Sequence, residues 1–409
     1  MRKQYLPKDS LPALYEALRK RGYKIIAPHV HDGAIVFSEQ HSPDTLPWGW
    51  QEETEPGRYQ LQHTERDNKS ENPARAFAWN NGPQGIKPWL FKPKQEMWRA
   101  EETENGLRFR QPDYAAEPIA FIGARACDLA ALNLQDKHFI QGHYPDPFYS
   151  AQRQQLLLVA VNCQRSASTC FCTSTGDGPE ALFGYDLLLD ELDEGFLIEA
   201  KSEVGDEILV ELALELPLEL PLDACEQSLL EQAEQQLQQA AQQQRKMPSD
   251  SELRLLQNKL DDQRWHEIAE KCLACGNCTL VCPTCFCSKQ ESNSEKLGEV
   301  SLASVQTFHP EQSDNNDVAS QVRVWDSCFS EQHSHIAGKN IRPEISQRYR
   351  QWLLHKLLMW QEQFGRSGCV GCGRCISWCP VGIDLVEEAN LLLRSELDQA
   401  VEQATGERP

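Results

Sequence analysis

Short apolar runs rich in β-branched residues recur through the first half of the chain, and stretches with helical periodicity lie between some of them. The apolar runs predict buried strands, and the periodic stretches predict helices. The predicted strands cover 23–28, 34–37, 119–124, 156–161 and 207–212, and the clearest helices cover 11–22 and 128–137. The stretch 41–115 has little periodicity and is predicted to be irregular or weakly stranded. This pattern indicates an α/β domain over residues 1–222.

The second half of the chain follows a different pattern, in which apolar residues recur at helical spacing around short cysteine-rich segments. Residues 223–262 are acidic and then rich in glutamine, which predicts an exposed helical linker. A helix is predicted from residue 249 to the first cysteine motif, another over 343–364, and a last one after Asp384. The region 263–409 is therefore predicted to be a predominantly helical domain with cysteine loops between its helices.

Composition and charge narrow the classes of function. The chain has 409 residues, with 40 Lys and Arg against 61 Asp and Glu, which gives a formal net charge of −21. That charge repels phosphate backbones and anionic lipid surfaces, so nucleic-acid and membrane partners are not expected. The longest apolar runs are too short to span a bilayer, and the first residues lack the apolar core of a signal peptide. We therefore expect a cytoplasmic protein with two or three domains.

Two cysteine motifs of the form C-x2-C-x2-C-x3-C-P carry the strongest chemical signal among the sixteen cysteines. In bacterial ferredoxins with this spacing, three cysteines bind one [4Fe–4S] cluster and the fourth binds the other. The expected ligands of the first cluster are Cys272, Cys275, Cys278 and Cys379. Those of the second cluster are Cys369, Cys372, Cys375 and Cys282. Structural zinc is the rival interpretation, but a zinc site needs four ligands in all and each motif supplies four in one run.

Four cysteines in the first half of the chain are open to two interpretations. Cys127 follows a predicted strand at the start of a helix, Cys163 ends another strand, and Cys170 and Cys172 follow shortly afterwards. Because strand ends of one sheet lie side by side, these thiols could converge on a third cluster. The alternative is a set of buried structural thiols. Two interpretations also remain open for Cys285, Cys287 and Cys328, which could be additional cluster ligands or buried thiols near the first cluster. The sequence assigns no role to any histidine.

The segments that hold these cysteines resemble two known families. Cys282 and Cys369 are 87 positions apart with helices between them, and this arrangement resembles the α-helical ferredoxin module of succinate dehydrogenase and heterodisulfide reductase iron–sulfur subunits. The segments GARACDLAAL, TCFCTSTGDGP, EKCLACGNCTLVCPTCFCS, DSCFSEQHSHIAGKN and GCVGCGRCISWCPVGIDL resemble the iron–sulfur β subunit of cytosolic sulfhydrogenases, which are NAD(P)-linked nickel–iron hydrogenases. The A subunit of anaerobic sulfite reductase is similar. The resemblance covers roughly 115–390 and implies an α+β protein, an N-terminal α/β domain followed by an α-helical dicluster ferredoxin domain.

The resemblance also implies a function and partners. It implies an electron-transfer subunit of a hydrogenase complex, with an FAD- and NAD(P)-binding subunit, small and large nickel–iron hydrogenase subunits, and an external ferredoxin as a further partner. The alternative that it leaves open is the equivalent subunit of a sulfite or polysulfide reductase. The sequence itself contains no nucleotide-binding fingerprint, so we expect this chain to bind no flavin and to have no catalytic residues of its own.

Overall fold

The computed structural model describes residues 3–64, 74–104, 106–112, 114, 116–215, 224–294 and 317–394. The strands among these residues are β1 Gln4–Pro7, β2 Lys24–His31, β3 Ala34–Glu39, β4 Trp50–Glu55, β5 Arg58–His63, β6 Lys94–Thr103, β7 Gly106–Arg110, β8 Ile119–Ala124, β9 Leu156–Val161, β10 Leu187–Glu191, β11 Gly195–Ala200, β12 Ser288–Ser294, β13 Asp317–Trp325, β14 His335–Ile336 and β15 Lys339–Asn340.

Helices alternate with strands in the first half of the chain and are more frequent in the second half. They are α1 Leu11–Lys20, α2 Lys87–Leu90, α3 Ala126–Phe139, α4 Pro147–Gln154, α5 Cys172–Thr175, α6 Glu203–Glu215, α7 Ala224–Ala240, α8 Asp250–Leu253, α9 Arg264–Lys271, α10 Asn277–Leu280, α11 Ile345–Leu354, α12 Trp360–Phe364 and α13 Arg374–Ser377. A π-helical segment, His355–Met359, joins α11 to α12. Residues 385–394 are also helical.

A seven-stranded sheet forms the core of the first half, in the order β1-β11-β10-β9-β8-β2-β3. The four central strands β10, β9, β8 and β2 are parallel to one another, and the outer pairs are antiparallel. All residues of β8 and β9 are buried, as is typical of parallel strands that are covered on both faces. This arrangement brings the ends of β8 and β9 side by side.

Most of the predicted elements of the first half are confirmed, and one is wrong. The strands predicted at 23–28, 34–37, 119–124 and 156–161 are β2, β3, β8 and β9, and the two predicted helices are α1 and α3. The predicted strand at 207–212 lies instead in helix α6. Its apolar residues Ile208, Leu209 and Leu212 share one buried helical face, and short apolar runs do not distinguish helix from strand by themselves.

The stretch 41–115 contains more strand than its sequence indicates. Its described part holds the hairpins β4–β5 and β6–β7. Strand β6 also pairs with β13, which lies between the two cysteine motifs, so that a second sheet forms in the order β12-β13-β6-β7. This sheet joins the two halves of the chain. The domain boundaries at 222 and 262 stay a prediction.

The second half contains both helices and strands in its described part, and the expectation of an α-helical dicluster ferredoxin domain is not confirmed. Strands β12 and β13 occupy part of the segment between the cysteine motifs. The helix predicted from 249 onward is interrupted, because α8 is followed by a 3-10 segment before α9 begins. The helix predicted over 343–364 is confirmed, with its π-helical centre.

Three predicted features lie partly or wholly outside the described residues. They are the end of the last helix beyond 394, the prolines and acidic residues of the linker at 216–223, and the side chain of Cys225. Across the described part of the chain, no helix combines the length and the apolar character that a membrane span needs.

Candidate iron–sulfur centres

A cavity in the second half of the chain is lined by cysteines from both motifs. Cys272, Cys275 and Cys278 of the first motif face this cavity together with Cys379, the last cysteine of the second motif. Cys375 also lines it. The crossed set predicted for the first cluster therefore faces one common space, although the two motifs are far apart in the sequence.

Backbone amides near this cavity donate hydrogen bonds to cysteine sulfurs. Ala274 N donates to Cys272 Sγ at 3.4 Å, and Ile383 N donates to Cys379 Sγ at 3.3 Å. The first loop is tight enough that Ala274 has a φ of 51° and Gly276 a φ of 73°, which are left-handed conformations. Such amide donors to sulfur stabilise the thiolate form and tune an iron–sulfur cluster.

The remaining wall of the cavity is largely apolar and aromatic. Phe329, Tyr349 and Trp352 line its inner side and are buried. On the outer side, Cys275 is exposed and Leu273 is 63 % exposed. The inner wall of the cavity is therefore buried and aromatic, and its other side is close to the protein surface.

A second group of thiols combines the first three cysteines of the second motif with Cys282 of the first. Burial raises the pKa of Cys375 well above its usual value, and the thiols of Cys369, Cys372 and Cys282 raise it further. Burial likewise raises the pKa of Cys369 to about 12, with Cys372 and Cys282 again among its neighbours. The four residues predicted for the second cluster thus interact electrostatically with one another.

Two buried lysines lie beside Cys282. Lys356 Nζ donates to Thr284 Oγ1 at 2.7 Å, and that hydroxyl is 3.3 Å from Cys282 Sγ. The pKa of Cys282 lies well below its usual value because of a hydrogen bond with Cys285 and the nearby positive charges of Lys356 and Lys87. The site is therefore electropositive, which favours a thiolate or an anionic cluster.

Two observations support a cubane cluster: each group of cysteines combines residues of both motifs, and one group lines a common cavity. A binding site for a single metal ion does not support it. Among the described residues, no group of three or more His, Cys, Asp or Glu side chains is arranged to hold one metal ion. A cubane keeps its ligand sulfurs further apart than one ion does, because the cluster itself lies between them. The thiolate set, the apolar wall and the amide donors are the environment that such a cluster takes.

The four cysteines of the first half meet at the ends of β8 and β9. The pKa of Cys170 is raised by burial and by the thiols of Cys172 and Cys163, so these three lie together. Burial also raises the pKa of Cys127, which interacts with Cys172 and with Cys372 of the second motif. Cys127 thus lies on the side of this group that faces the second motif. The structure brings the four residues predicted for a third centre into one region.

This third group is packed directly against the second cysteine motif. Phe171 N donates to Gly371 O at 2.9 Å, and a Cβ on Gly371 would lie 2.4 Å from backbone atoms of Cys172. Beside them, Arg374 Nη1 forms an ion pair of 2.9 Å with Asp128 Oδ1, and both side chains are buried. The close backbone approach and the buried ion pair hold the two cysteine-bearing segments against each other.

Comparison with known proteins agrees with this arrangement. Residues 271–383 match the 4Fe-4S dicluster domain family. The chain is also 29% identical over 302 residues to the sulfhydrogenase 2 subunit beta of Pyrococcus furiosus, and the match covers 74% of this chain and 80% of the relative. The predicted relationship to sulfhydrogenase β subunits is confirmed. The match extends well beyond the dicluster region.

The three cysteines whose role the sequence does not decide, Cys285, Cys287 and Cys328, lie in two places. The Cys285 thiol contacts the Cys282 thiol, and the Cys287 thiol contacts Cys328 and the imidazole of His333. His333 Nδ1 is 2.7 Å from Asp326 Oδ2. Sequence reasoning missed His333 and Lys356, because no motif marks either residue. The signal available for His333 was its position five residues after Cys328.

Proposed function

We propose that this chain is an electron-transfer subunit of a hydrogenase complex and that it holds two [4Fe–4S] clusters in its second half. Each cluster takes three cysteines from one motif and one from the other, so that the expected sets are Cys272, Cys275, Cys278 and Cys379, and Cys369, Cys372, Cys375 and Cys282. The observation that carries the proposal is the single cavity that Cys379 shares with the first three cysteines of the other motif.

The surroundings of the two sets support a relay rather than catalysis. A [4Fe–4S] cluster with four cysteine ligands supplies one-electron transfer. Phe329, Tyr349 and Trp352 line the inner side of the first cavity with buried aromatic side chains. Cys375 of the second set is close enough to Cys278 of the first for their charges to interact. The chain therefore has two adjacent cluster sites, of which the first lies close to the surface and the second lies inside the protein.

We propose a third [4Fe–4S] cluster on Cys127, Cys163, Cys170 and Cys172. Its support is the mutual interaction of Cys163, Cys170 and Cys172 and the contact of Cys127 with Cys172. The Gln243 amide donates to Cys172 Sγ at 3.2 Å, which stabilises a thiolate there. A third cluster at this point would extend the relay from the second motif into the seven-stranded sheet.

The partners that we propose follow from the relationship to sulfhydrogenase β subunits. They are an FAD- and NAD(P)-binding subunit and the small and large nickel–iron subunits, with an external ferredoxin as a further electron carrier, all in the cytoplasm. Mass spectrometry of the proteins that co-purify with the chain tests this. Recovery of a nickel–iron large subunit supports the hydrogenase, whereas a sirohaem protein in its place would assign the chain to a sulfite reductase.

Crossed ligation can be tested by comparing single cysteine variants of the anaerobically purified complex. If the ligands are crossed, C379S should perturb the same electron paramagnetic resonance signal as C275S, and C282S should perturb the same signal as C372S. The matched control is C225S, which replaces a linker cysteine and should leave both signals unchanged. A C379S spectrum that matches C372S instead would show that each motif binds its own cluster.

A further inference from the structure

A buried asparagine, Asn81, lies between the second and third proposed cluster sites and belongs to neither set of ligands. Its side-chain nitrogen, Nδ2, donates to Cys127 Sγ at 3.5 Å and to Cys372 O at 3.0 Å. Cys127 is an expected ligand of the third cluster, and Cys372 is an expected ligand of the second. Asn81 is buried, so the amide makes both contacts inside the protein. One side-chain amide therefore joins the two sites through hydrogen bonds.

The orientation of this amide is fixed by Arg374 of the second motif. Arg374 Nη2 donates to Asn81 Oδ1 at 2.8 Å. A guanidinium has donors and no acceptor, so the amide oxygen must face Arg374 and the amide nitrogen is left to face the sulfur. The distances to Cys127 Sγ agree, because Nδ2 is 3.5 Å away and Oδ1 is 3.9 Å away. An N–H donor is thus directed at the sulfur of an expected cluster ligand.

Arg374 has no freedom to turn away from this amide, because its other nitrogens are engaged. Its Nη1 forms the buried ion pair with Asp128, the residue after Cys127. Its Nε donates to Gly82 O at 3.1 Å. The guanidinium therefore contacts the segment that carries Asn81 and the helix that begins beside Cys127.

The backbone on both sides of Asn81 is also fixed in place. The neighbouring Asn80 donates to the buried carboxylate of Glu52 through its backbone N at 2.7 Å and through Nδ2 at 3.2 Å. On the other side, a Cβ on Gly82 would collide with the carbonyl oxygen of Ile35 in β3. The Asn81 amide is therefore held by its backbone as well as by its hydrogen bonds.

We propose that Asn81 is a positioning residue of the third cluster site. Its N–H···S hydrogen bond holds the Cys127 thiolate and raises the reduction potential of the cluster that Cys127 binds. Arg374 keeps Asn81 in the orientation that this hydrogen bond requires, so the second motif controls the potential of the third site. The inference rests on the proposed function, because it requires the third cluster.

The direction of the effect follows from the charge of the ligand sulfur. Reduction adds one electron to the third site, and this electron is given up by the neighbouring second site. No bond forms or breaks, and Asn81 keeps both of its amide protons. The added negative charge is shared with the ligand sulfurs, so an N–H donor stabilises the reduced form more than the oxidised form. A hydrogen bond to a charged group changes an equilibrium constant by about tenfold.

The test is a redox titration of the complete anaerobic complex, monitored by electron paramagnetic resonance. The third cluster is identified as the signal that the C170S variant lacks. N81L removes both N–H donors and should shift the reduction equilibrium of that cluster about tenfold toward the oxidised form, which is about 59 mV for a one-electron couple. The other two potentials should stay close to wild type. The matched control is N80L, which replaces an amide that donates to Glu52 and to no thiol.

A second measurement needs no substitution. The wild-type complex is prepared with asparagine that carries ¹⁵N in its side-chain amide. Pulsed electron paramagnetic resonance should then detect a ¹⁵N nucleus weakly coupled to the electron spin of the third cluster. The N81L variant should lose this coupling, and N80L should keep it. A purely structural role of Asn81 predicts no such coupling.

Iron measured on the same samples separates failure of this inference from failure of the proposed function. Wild type with about eight irons in place of about twelve would overturn the third site and the inference with it. N81L with full iron and the wild-type potential would overturn the inference alone, as would equal shifts in N81L and N80L. If N81L loses the iron of the third site, the ¹⁵N coupling in wild type decides. Its presence supports the role of Asn81, and its absence overturns it.

Discussion

Removal of the positive charge of Lys356 should make the second cluster harder to reduce. Lys356 lies in the π-helical segment, a kind of helix that is frequent at functional sites. Burial alone would lower its pKa, but the neighbouring thiolates of Cys282 and Cys285 outweigh burial and raise it, so that the ammonium stays charged. A fixed positive charge stabilises the reduced, more negative cluster and therefore raises its reduction potential.

The size of this change in reduction potential follows from the two contacts of the Thr284 hydroxyl. Its hydroxyl is 2.7 Å from Lys356 Nζ and 3.3 Å from Cys282 Sγ, so the charge and the ligand sulfur are at most about 6 Å apart. One elementary charge at that distance contributes about 2–3 kcal/mol at an effective dielectric constant near 20. For a one-electron couple this corresponds to roughly 100 mV.

The assay is a redox titration monitored by electron paramagnetic resonance on anaerobically purified complex. K356M should lower one cluster midpoint potential by roughly 100 mV and leave the other nearly unchanged. The matched control is K356R, which keeps the charge and should stay close to wild type. A K356M variant with full iron content and the wild-type potential would refute the reasoning, as would a shift confined to the first cluster.

Three further predictions concern the packing and charges around these sites. Gly371→Ala should lower the free energy of unfolding by about 2–4 kcal/mol in a denaturant titration, because φ at this residue is 65° and the added Cβ would meet backbone atoms. The control is Gly338→Ala, where φ is 80° and no atom lies within 4 Å of the added Cβ, and it should lower the free energy of unfolding by only about 1–2 kcal/mol. Arg374→Met should cost about 3–5 kcal/mol in the same assay because it leaves Asp128 buried and unpaired, and adding Asp128→Asn should recover part of the loss. The stability that His333 contributes should be complete below pH 6.5 and lost as the pH rises through about 9, so that wild type and H333N converge in alkaline unfolding experiments.

Local patterns in the sequence predict most of the strands and helices of the first half, whereas the cysteine ligand sets stay a prediction. The apolar runs of β8 and β9 predict two neighbouring strands, and both strands are buried and parallel, with Cys127 and Cys163 just beyond their ends. The spacing within each motif predicts the exchange of Cys282 and Cys379, and Cys379 does share a cavity with the first motif. The two strands are predicted correctly because they depend on residues that are close together in the chain.

Features that depend on contacts between distant parts of the chain could not be predicted from the sequence. The pairing of β6 with β13 joins residues more than two hundred positions apart, and no local pattern encodes it. Strand and helix were confused at α6 because only the packing of its apolar face against the sheet decides between them. The contact of His333 with Cys287, and that of Lys356 with Thr284, likewise form only when the chain is folded.

The content of iron, acid-labile sulfide and zinc per chain tests the central claim most directly, because each cubane holds four irons. Anaerobically purified wild type should contain about twelve irons and as much sulfide, eight of each from the crossed pair of sites and four from the third site. The C170S variant should retain about eight irons, since it removes a ligand of the third site only. Zinc in place of iron, with no visible charge-transfer absorbance, would contradict the account.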